Sequence, residues 1–399
     1  MNTIIKTFGI YFLFAPALTL EAQSGVDSVL HRVERNSTTL QALRQQTEAM
    51  KLANRTGIYL ANPEVEVARM WGRPSAAGNR VDVNVMQTFD FPTAYAWRRK
   101  IAEGDNRIAA LEYESRRREV LSQAGVLCVE LVYRNRLGEE LNRRLQHAQR
   151  IAASVQERFV QGDAGAQERN RSQLNLLNAR KAVESNGIER TELLSELQRM
   201  NGGQAVVFDD TDYPACPLPQ DFEQWYERVQ ANHPALQRLS RETETSRHRE
   251  RLNRAMGLPR FSAGYTSETV VDVSMRGVAV GMSIPLWENK NTVKQAKAQT
   301  LAWQSMETDA RLQSYNALKT QYNKALSLQN MLADYARALQ SAGNAEGLWK
   351  SLELGQISLT DYLLELSIYY EATGNMLQAE RDYRLAALEL KQWEMTAGN

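Results

Sequence analysis

Residues 81–92 read VDVNVMQTFDFP and decide the architecture of this chain. The odd positions from Val81 to Phe91 are apolar apart from Gln87, and most of the even positions between them are polar. Alternation of this kind over about ten residues is typical of a strand with one apolar face, and the length suits a tilted strand that crosses a bilayer. The sequence becomes strongly helical after Pro92. We therefore predict a hairpin strand that leads directly into a long helix.

The same order of features recurs in the second half of the chain. Phe91-Pro92 corresponds to Ile284-Pro285, and Gly162 corresponds to Gly355; 285 minus 92 and 355 minus 162 are both 193. Two matches at one offset predict a tandem duplication. Upstream the offset is 196, since Pro63 corresponds to Pro259. The difference of three residues is assigned to loops, which tolerate such changes.

The duplication predicts the following boundaries. The first repeat is 23–201, with strands at 63–72 and 81–91, a long helix at 93–160 and a return helix at 164–200. Residues 202–221 are a Gly, Asp and Pro-rich linker. The second repeat is 222–399, with strands at 259–269 and 277–285, a long helix at 287–354 and a return helix at 358–393. The predicted fold class is mostly α with a small β part.

The long helices need partners along their whole length. A helix of about 68 residues is about 100 Å long, which far exceeds an ordinary globular helix. Apolar residues recur at alternating spacings of three and four, as in a coiled coil. These seam residues are Leu141, Leu145, Ala148, Ala152, Val155 and Phe159 in one repeat, and Tyr315, Leu318, Tyr322, Ala325, Gln329, Leu332, Ala336 and Leu339 in the other. Each repeat thus predicts a long antiparallel coiled-coil hairpin.

The first 22 residues are typical of a secretory signal peptide, with Lys6 before the apolar run Phe8–Leu20. No Cys follows the predicted cleavage site before Gln23, so a lipid anchor is not expected there. The mature sequence has no long uncharged apolar segment, and any membrane crossing must use strands. Three tryptophans near strand ends fit an interfacial aromatic belt, although core packing is the alternative: Trp71, Trp97 and Trp287. A soluble sheet is the alternative for the four strands.

Composition argues against several functional classes. Lys and Arg number 48 against 47 Asp and Glu, so no basic excess marks a nucleic-acid binder. The four histidines are scattered, and no catalytic triad, phosphate-binding Gly loop or dinucleotide fingerprint is present. Cys128 and Cys216 have no disulfide or metal-pair spacing. We expect no enzyme activity, cofactor or metal site.

Three motifs carry a resemblance to a known family. They are Asn232-His233-Pro234-Ala235-Leu236, Ser283-Ile284-Pro285-Leu286 and the run LGQISLTDYL at 354–363. In this order and at the repeat spacing, the chain resembles the TolC-like outer-membrane channels over nearly its whole mature length. The resemblance implies a homotrimer in which four transmembrane strands per chain build a twelve-stranded barrel, continued by an α-helical tunnel across the periplasm.

The resemblance also implies function and partners. It implies the exit channel of a tripartite efflux pump or a type I secretion system in the outer membrane of a Gram-negative bacterium. The partners would be outer-membrane lipid, a periplasmic adaptor and an inner-membrane pump, with a resistance-nodulation-division pump for metal cations or drugs as the first expectation. The alternative is a periplasmic coiled-coil adaptor or structural protein without a channel.

Family members narrow the tunnel with acidic side chains near its periplasmic end. The resemblance places Asp361 in such a ring, and Glu365 stands beside it because Leu364 occupies the position of a second acid. A helix N-terminal Asp favoured by the dipole is the alternative for Asp361. The residues implied in adaptor contact are Gly162, Gly165, Gly355 and Ser358. The glycines also serve to turn the chain.

Overall fold

The computed structural model describes residues 25–74, 78–271, 273–341 and 345–394. The predicted signal peptide lies outside these ranges. In chain order, the described elements are α1 Gly25–Asn36, α2 Thr38–Ala53, β1 Glu64–Trp71, β2 Asn79–Phe89, α3 Pro92–Gln161, α4 Ala166–Met200, α5 Phe222–Gln230, α6 Pro234–Ala255, β3 Arg260–Val270, β4 Val273–Ser283, α7 Thr292–Ser341, α8 Ala345–Glu353 and α9 Leu359–Glu394. None of the described helices has both the length and the hydropathy needed to cross a membrane.

The helix α3 dominates the first half of the molecule. Pro92 occupies its first turn, where a missing backbone N–H costs nothing. The helix continues for 70 residues, a length of about 105 Å at 1.5 Å per residue. It ends at Gly162, whose φ of 85° is left-handed. The chain then turns and returns as α4 along α3. This pair forms the first predicted helical hairpin.

In the second half, α7 packs along α9 to form the other hairpin. The predicted seams are only partly buried: Leu318 and Ala325 are buried, whereas Gln329 and Ala336 are exposed. In the first repeat Val155 is buried against Leu359 and Tyr362 of α9, so this end of its seam faces the second hairpin and not α4. A larger core lies where α1 and the segment after α4 pack on the middle of α3. Its fully buried members include Val33, Leu131, Val132 and Leu197. The core therefore holds the helices together at mid-length. The sheet lies beyond the end of α3 that begins at Pro92.

The four strands form one antiparallel sheet in the order β1-β2-β3-β4. Val67 pairs with Val83, and Val83 pairs with Ser267 on its other side. Each strand is therefore next to its neighbour in sequence, and the two hairpins join through β2 and β3. The mostly helical fold with a small four-stranded sheet is confirmed.

Two predicted boundaries are wrong in the second half. The helix predicted at 287–354 begins only at Thr292, and within the described residues it is helical over Thr292–Ser341 and Ala345–Glu353, named α7 and α8. Asn291 has a left-handed φ of 69°, so the helix cannot extend backward through it. The strand β4 begins at Val273 and not at 277, because its ladder with β3 continues to the pair Val270 and Val273.

Candidate membrane surface and helical tips

One face of the sheet is predominantly apolar. In an antiparallel sheet, directly opposed residues point to the same side, so the register assigns every side chain to a face. The apolar residues of this face, named here the apolar face, are Val65, Val67, Val81, Val83, Val85, Phe89, Phe261, Ala263, Tyr265, Val278, Val280 and Met282. Val278 and Val280 are 88% and 85% exposed. No described element of the chain covers this surface on β4.

The opposite face, named here the polar face, has a different composition. It carries Glu64 and Glu66 on β1, Arg80 and Asp82 on β2, and Glu268 on β3. The Arg80 guanidinium lies 2.8 Å from the Asp82 carboxylate and 3.2 Å from that of Glu268. The sheet therefore separates a predominantly apolar surface from one that carries the acidic side chains and the ion pairs of Arg80.

The sheet has two open edges within the described chain, because β1 pairs only with β2, and β4 pairs only with β3. An open edge exposes a row of backbone N–H and C=O groups without partners. These edges combine with an exposed apolar face. In water this combination is a liability, and in lipid each unsatisfied backbone group costs several kcal/mol.

The structure separates the three predicted interface tryptophans. Trp71 and Trp287 are 72% and 81% exposed, and they lie at opposite ends of the sheet. Trp97 instead lies between α3 and α6, with its ring 5.7 Å from that of His248 and with Lys100 and Arg251 over its faces. The environment of Trp97 therefore differs from that of the two exposed tryptophans.

The helical tips are the turns at 162–165 and 354–358, far from the sheet. Gly162 and Gly355 have φ values of 85° and 69°, which only glycine adopts without strain. Gly165 has an ordinary φ of −84° and caps α4. Beside the two left-handed glycines, Val160 and Leu354 are 76% and 72% exposed. These exposed apolar side chains were not singled out from the sequence.

Ser358 caps the N-terminus of α9 and contacts Asp361. The Ser358 hydroxyl donates to the Asp361 carboxylate at 2.6 Å, and the Asp361 backbone N–H donates to the Ser358 hydroxyl at 3.1 Å. This contact gives Asp361 a local structural role. Asp361 and Glu365 are both exposed and, one helical turn apart, share a face of α9.

A polar contact between α3 and α9 was missed by the sequence reasoning. The Arg144 guanidinium donates to the Tyr370 backbone carbonyl at 2.9 Å and lies over the Tyr370 ring. His147 Nδ1 lies 2.8 Å from the Tyr370 hydroxyl. Burial lowers the pKa of His147, and the charge of Arg150 lowers it further. Neutral His147 is therefore the form that this contact favours.

His233 ends the loop before α6. Its ring stacks on Trp393 with centroids 3.7 Å apart, and its Nδ1 is buried without a hydrogen-bond partner. Burial lowers the pKa of His233 to about 4, and the nearby charge of Arg118 acts in the same direction. The sequence pattern gave no sign of this burial.

The described side chains offer neither a metal-binding cluster nor a reactive thiol. Within the described ranges, no group of three or more His, Cys, Asp or Glu side chains could hold a metal ion. Cys128 and Cys216 are free and buried. Burial raises the pKa of the Cys128 thiol to about 12 and also raises that of Cys216. Both thiols are therefore protonated at neutral pH and poorly nucleophilic.

No protein-family model matches this sequence, and no curated protein matches it. Several solved structures do match in fold. CusC, described as undergoing conformational changes on folding and transmembrane channel formation, has a TM-score of 0.79 at 11% identity over 94% of this chain and 93% of its own. The CmeC outer-membrane channel of Campylobacter jejuni has a TM-score of 0.77 at 13% identity over 98% and 93%.

The outer-membrane channel OprN has a TM-score of 0.77 at 11% identity, covering 93% of this chain and 90% of that chain. The chain has the fold of these channels. The agreement spans the sheet, the long hairpins and the return helices, because more than nine-tenths of this chain is covered in each case. It therefore confirms the TolC-like fold that the sequence motifs indicated.

Proposed function

We propose that three copies of this chain form an outer-membrane channel that serves as the exit duct of an efflux system. The observation that carries the proposal is the sheet, which combines an exposed apolar face with two open edges and continues directly into helical hairpins. Such a sheet is unstable alone in either water or lipid. It is suited to a closed assembly that spans a bilayer.

Closure follows from hydrogen bonding. The edge strand β1 of one copy pairs with the edge strand β4 of the next, so that every backbone group in the hydrocarbon has a partner. Three copies supply twelve strands, an even number within the known range of bacterial barrels. The strand β2 has 11 residues, and at a tilt of about 45° it rises about 25 Å, which matches the apolar band of such barrels.

The rest of the chain supplies the tunnel. With the sheet in the outer membrane of a Gram-negative bacterium, α3 reaches about 100 Å into the periplasm. The structural relatives support this placement, because CmeC, OprN and the Neisseria gonorrhoeae protein MtrE are described as outer-membrane channels. We infer that the polar face lines the lumen and that cargo passes without chemical change. The predicted tandem duplication gives each chain two hairpins.

The helical tips fit the role of docking site for a periplasmic adaptor. Gly162, Gly355 and Ser358 keep them free of bulky side chains, and the exposed Val160 and Leu354 supply apolar contact area. An inner-membrane pump of the resistance-nodulation-division type completes the proposed efflux system, with metal cations or drugs as cargo. A type I secretion system would use the same duct.

At the same end, Asp361 and Glu365 are proposed to narrow the tunnel. Threefold repetition of two exposed carboxylates would form an acidic ring that attracts cations. The capping contact with Ser358 is compatible with this role, because it occupies one carboxylate oxygen and leaves the side chain exposed. Trp71 and Trp287 are proposed as the interface aromatics of the barrel, while Trp97 lies against α6 and fits that role less well.

Membrane fractionation tests the proposal. The expected result is an oligomer in the outer-membrane fraction that migrates as a trimer without heating and as a monomer after boiling. Urea washing should not release it, because the apolar face is in lipid. Recovery of a monomer from the soluble periplasmic fraction would contradict the proposal and would favour the alternative, a periplasmic coiled-coil protein.

A further inference from the structure

The apolar face carries two charged residues, and both are cations. Arg69 lies on β1 opposite Val81, and Arg276 lies on β4 opposite Ser267. The other positions of this face within the four strands are apolar or uncharged polar. The acidic side chains of the strands all point to the polar face. The apolar face therefore has an unbalanced positive charge.

Neither guanidinium has a carboxylate partner in the described chain. Arg69 lies over the Trp71 ring, 5.8 Å from its centroid, and Arg276 makes no side-chain hydrogen bond or ion pair among the described residues. Both side chains are exposed. Arg80, on the polar face, instead pairs with Asp82 and Glu268. The two outward arginines thus retain their full capacity to bind an anion.

The register locates both arginines at the end of the sheet away from the helices. Arg69 and Arg276 lie in adjacent cross-strand rows, and the rows of Val65, Ala263 and Phe261 all follow on the helix side. An arginine on the lipid face of a barrel costs about 2–4 kcal/mol at the bilayer midplane but only about 0–1 near an interface. The two rows therefore mark the membrane interface on the side away from the helices, named here the distal interface. Trp71 lies at the same end of the sheet.

Barrel closure brings the two cations onto neighbouring strands. Arg69 is on one edge strand and Arg276 on the other, so Arg69 of one copy and Arg276 of the next flank the same seam. Paired strands are about 4.8 Å apart, so the proposal requires a seam register that brings the two arginines to similar depth, where both side chains reach one phosphate. Guanidinium groups bind phosphate in a bidentate manner, and phosphate is the anion that a lipid headgroup presents at this depth.

We propose that each seam between two copies binds a phosphate-bearing lipid of the distal leaflet through Arg69 and Arg276. The inference rests on the proposed barrel and adds a partner to its outer surface. The acyl chains of the lipid lie along the apolar rows next to the seam, where Val65 and Val278 are exposed. The lipid thereby connects adjacent copies as well as anchoring the rim.

The test uses the purified oligomer reconstituted in phosphatidylcholine bilayers doped with diphosphoryl lipid A. Native mass spectrometry counts the lipid A molecules that stay bound after transfer to detergent. We expect the wild type to retain lipid A and to retain less of the lipid when both of its phosphates are removed. Free inorganic phosphate should not displace the bound lipid A, because the acyl chains also contribute to binding. The double variant Arg69→Gln/Arg276→Gln should bind lipid A roughly 30-fold more weakly. Each arginine near the membrane surface contributes about 1 kcal/mol, which is about fivefold in affinity.

Arg80→Gln is the matched control, because it removes an arginine from the opposite face of the same sheet. It should retain lipid A as the wild type does. Equal retention by the double variant and the wild type, with both oligomers intact, would overturn the lipid site and leave the channel standing. Absence of any membrane oligomer in the wild type would overturn the channel itself, and the lipid site with it.

Discussion

Replacing Val278 with Arg tests directly whether the apolar face meets lipid. Val278 is the central residue of β4 and is 88% exposed. Its neighbour across the ladder is Tyr265. An arginine fits this open position without steric conflict, so the isolated sheet should tolerate it. A large effect arises only if the surrounding medium is hydrocarbon.

The expected magnitude follows from that medium. An exposed surface substitution in water changes the free energy of unfolding by about 0.5 kcal/mol or less. An arginine on the lipid face near the bilayer midplane costs about 2–4 kcal/mol. At about 1.4 kcal/mol per factor of ten, the latter lowers the folded fraction by roughly 30-fold to 1,000-fold for each chain. In the proposed trimeric barrel, three chains multiply the penalty.

Gly277→Arg provides the control on the neighbouring residue. Gly277 lies on the polar face, and a Cβ added there would meet no atom within 4 Å. Both variants would be refolded into lipid vesicles and compared by urea titration and by the heat-modifiable oligomer band. Val278→Arg should lower the urea midpoint and the trimer yield, and Gly277→Arg should not. Equal losses, or none, would refute the assignment of the two faces.

Three further predictions concern the helices. Gly162→Ala and Gly355→Ala should each lower the free energy of unfolding by about 1–2 kcal/mol, because a Cβ disfavours their left-handed φ, whereas Gly165→Ala should be neutral by urea titration. Because burial lowers the pKa of His233 to about 4, its stabilising contribution is complete above pH 6.5 and is lost as the pH falls toward 4; His233→Asn should reduce the acid shift of the thermal midpoint over that window. Asp361→Ala should lower the cation selectivity of the pore in planar bilayers, and unchanged selectivity would remove the acidic ring.

The elements with strong periodic patterns were predicted well from the sequence. The helix α3, predicted at 93–160, is Pro92–Gln161, because a proline and a left-handed glycine mark its ends. The strand β2 was visible because its valines and Phe89 all lie on one face of the sheet, while Asp82, Asn84 and Thr88 lie on the other. Where one face of a strand is apolar and the other is polar, the alternation is visible in the sequence.

The second repeat was harder, for physical reasons. The start of β4 was missed because Ser274 and Arg276 place polar groups on the apolar face, which hides the alternation while the backbone ladder continues. The late start of α7 depends on the left-handed conformation of Asn291, which an ordinary residue pattern does not reveal.

The candidate site was predicted in its position more than in its contacts. The Gly162 and Gly355 turns follow from local sequence, and both occur as expected. The contacts of His147 with Tyr370, and of His233 with Trp393, join residues more than 150 positions apart. Such pairs depend on how two helices are aligned along each other, and a local sequence pattern does not determine that alignment. The two outward arginines became visible only when the strand pairing assigned each side chain to a face.

Single-channel recording on the purified oligomer in a planar lipid bilayer tests the central claim most directly. We expect discrete conductance steps that require the intact trimer and disappear after the oligomer has been boiled. The polar face and the acidic residues at the tips predict a preference for cations. A trimer that inserts stably into the bilayer and passes no ions under any applied voltage would contradict the account.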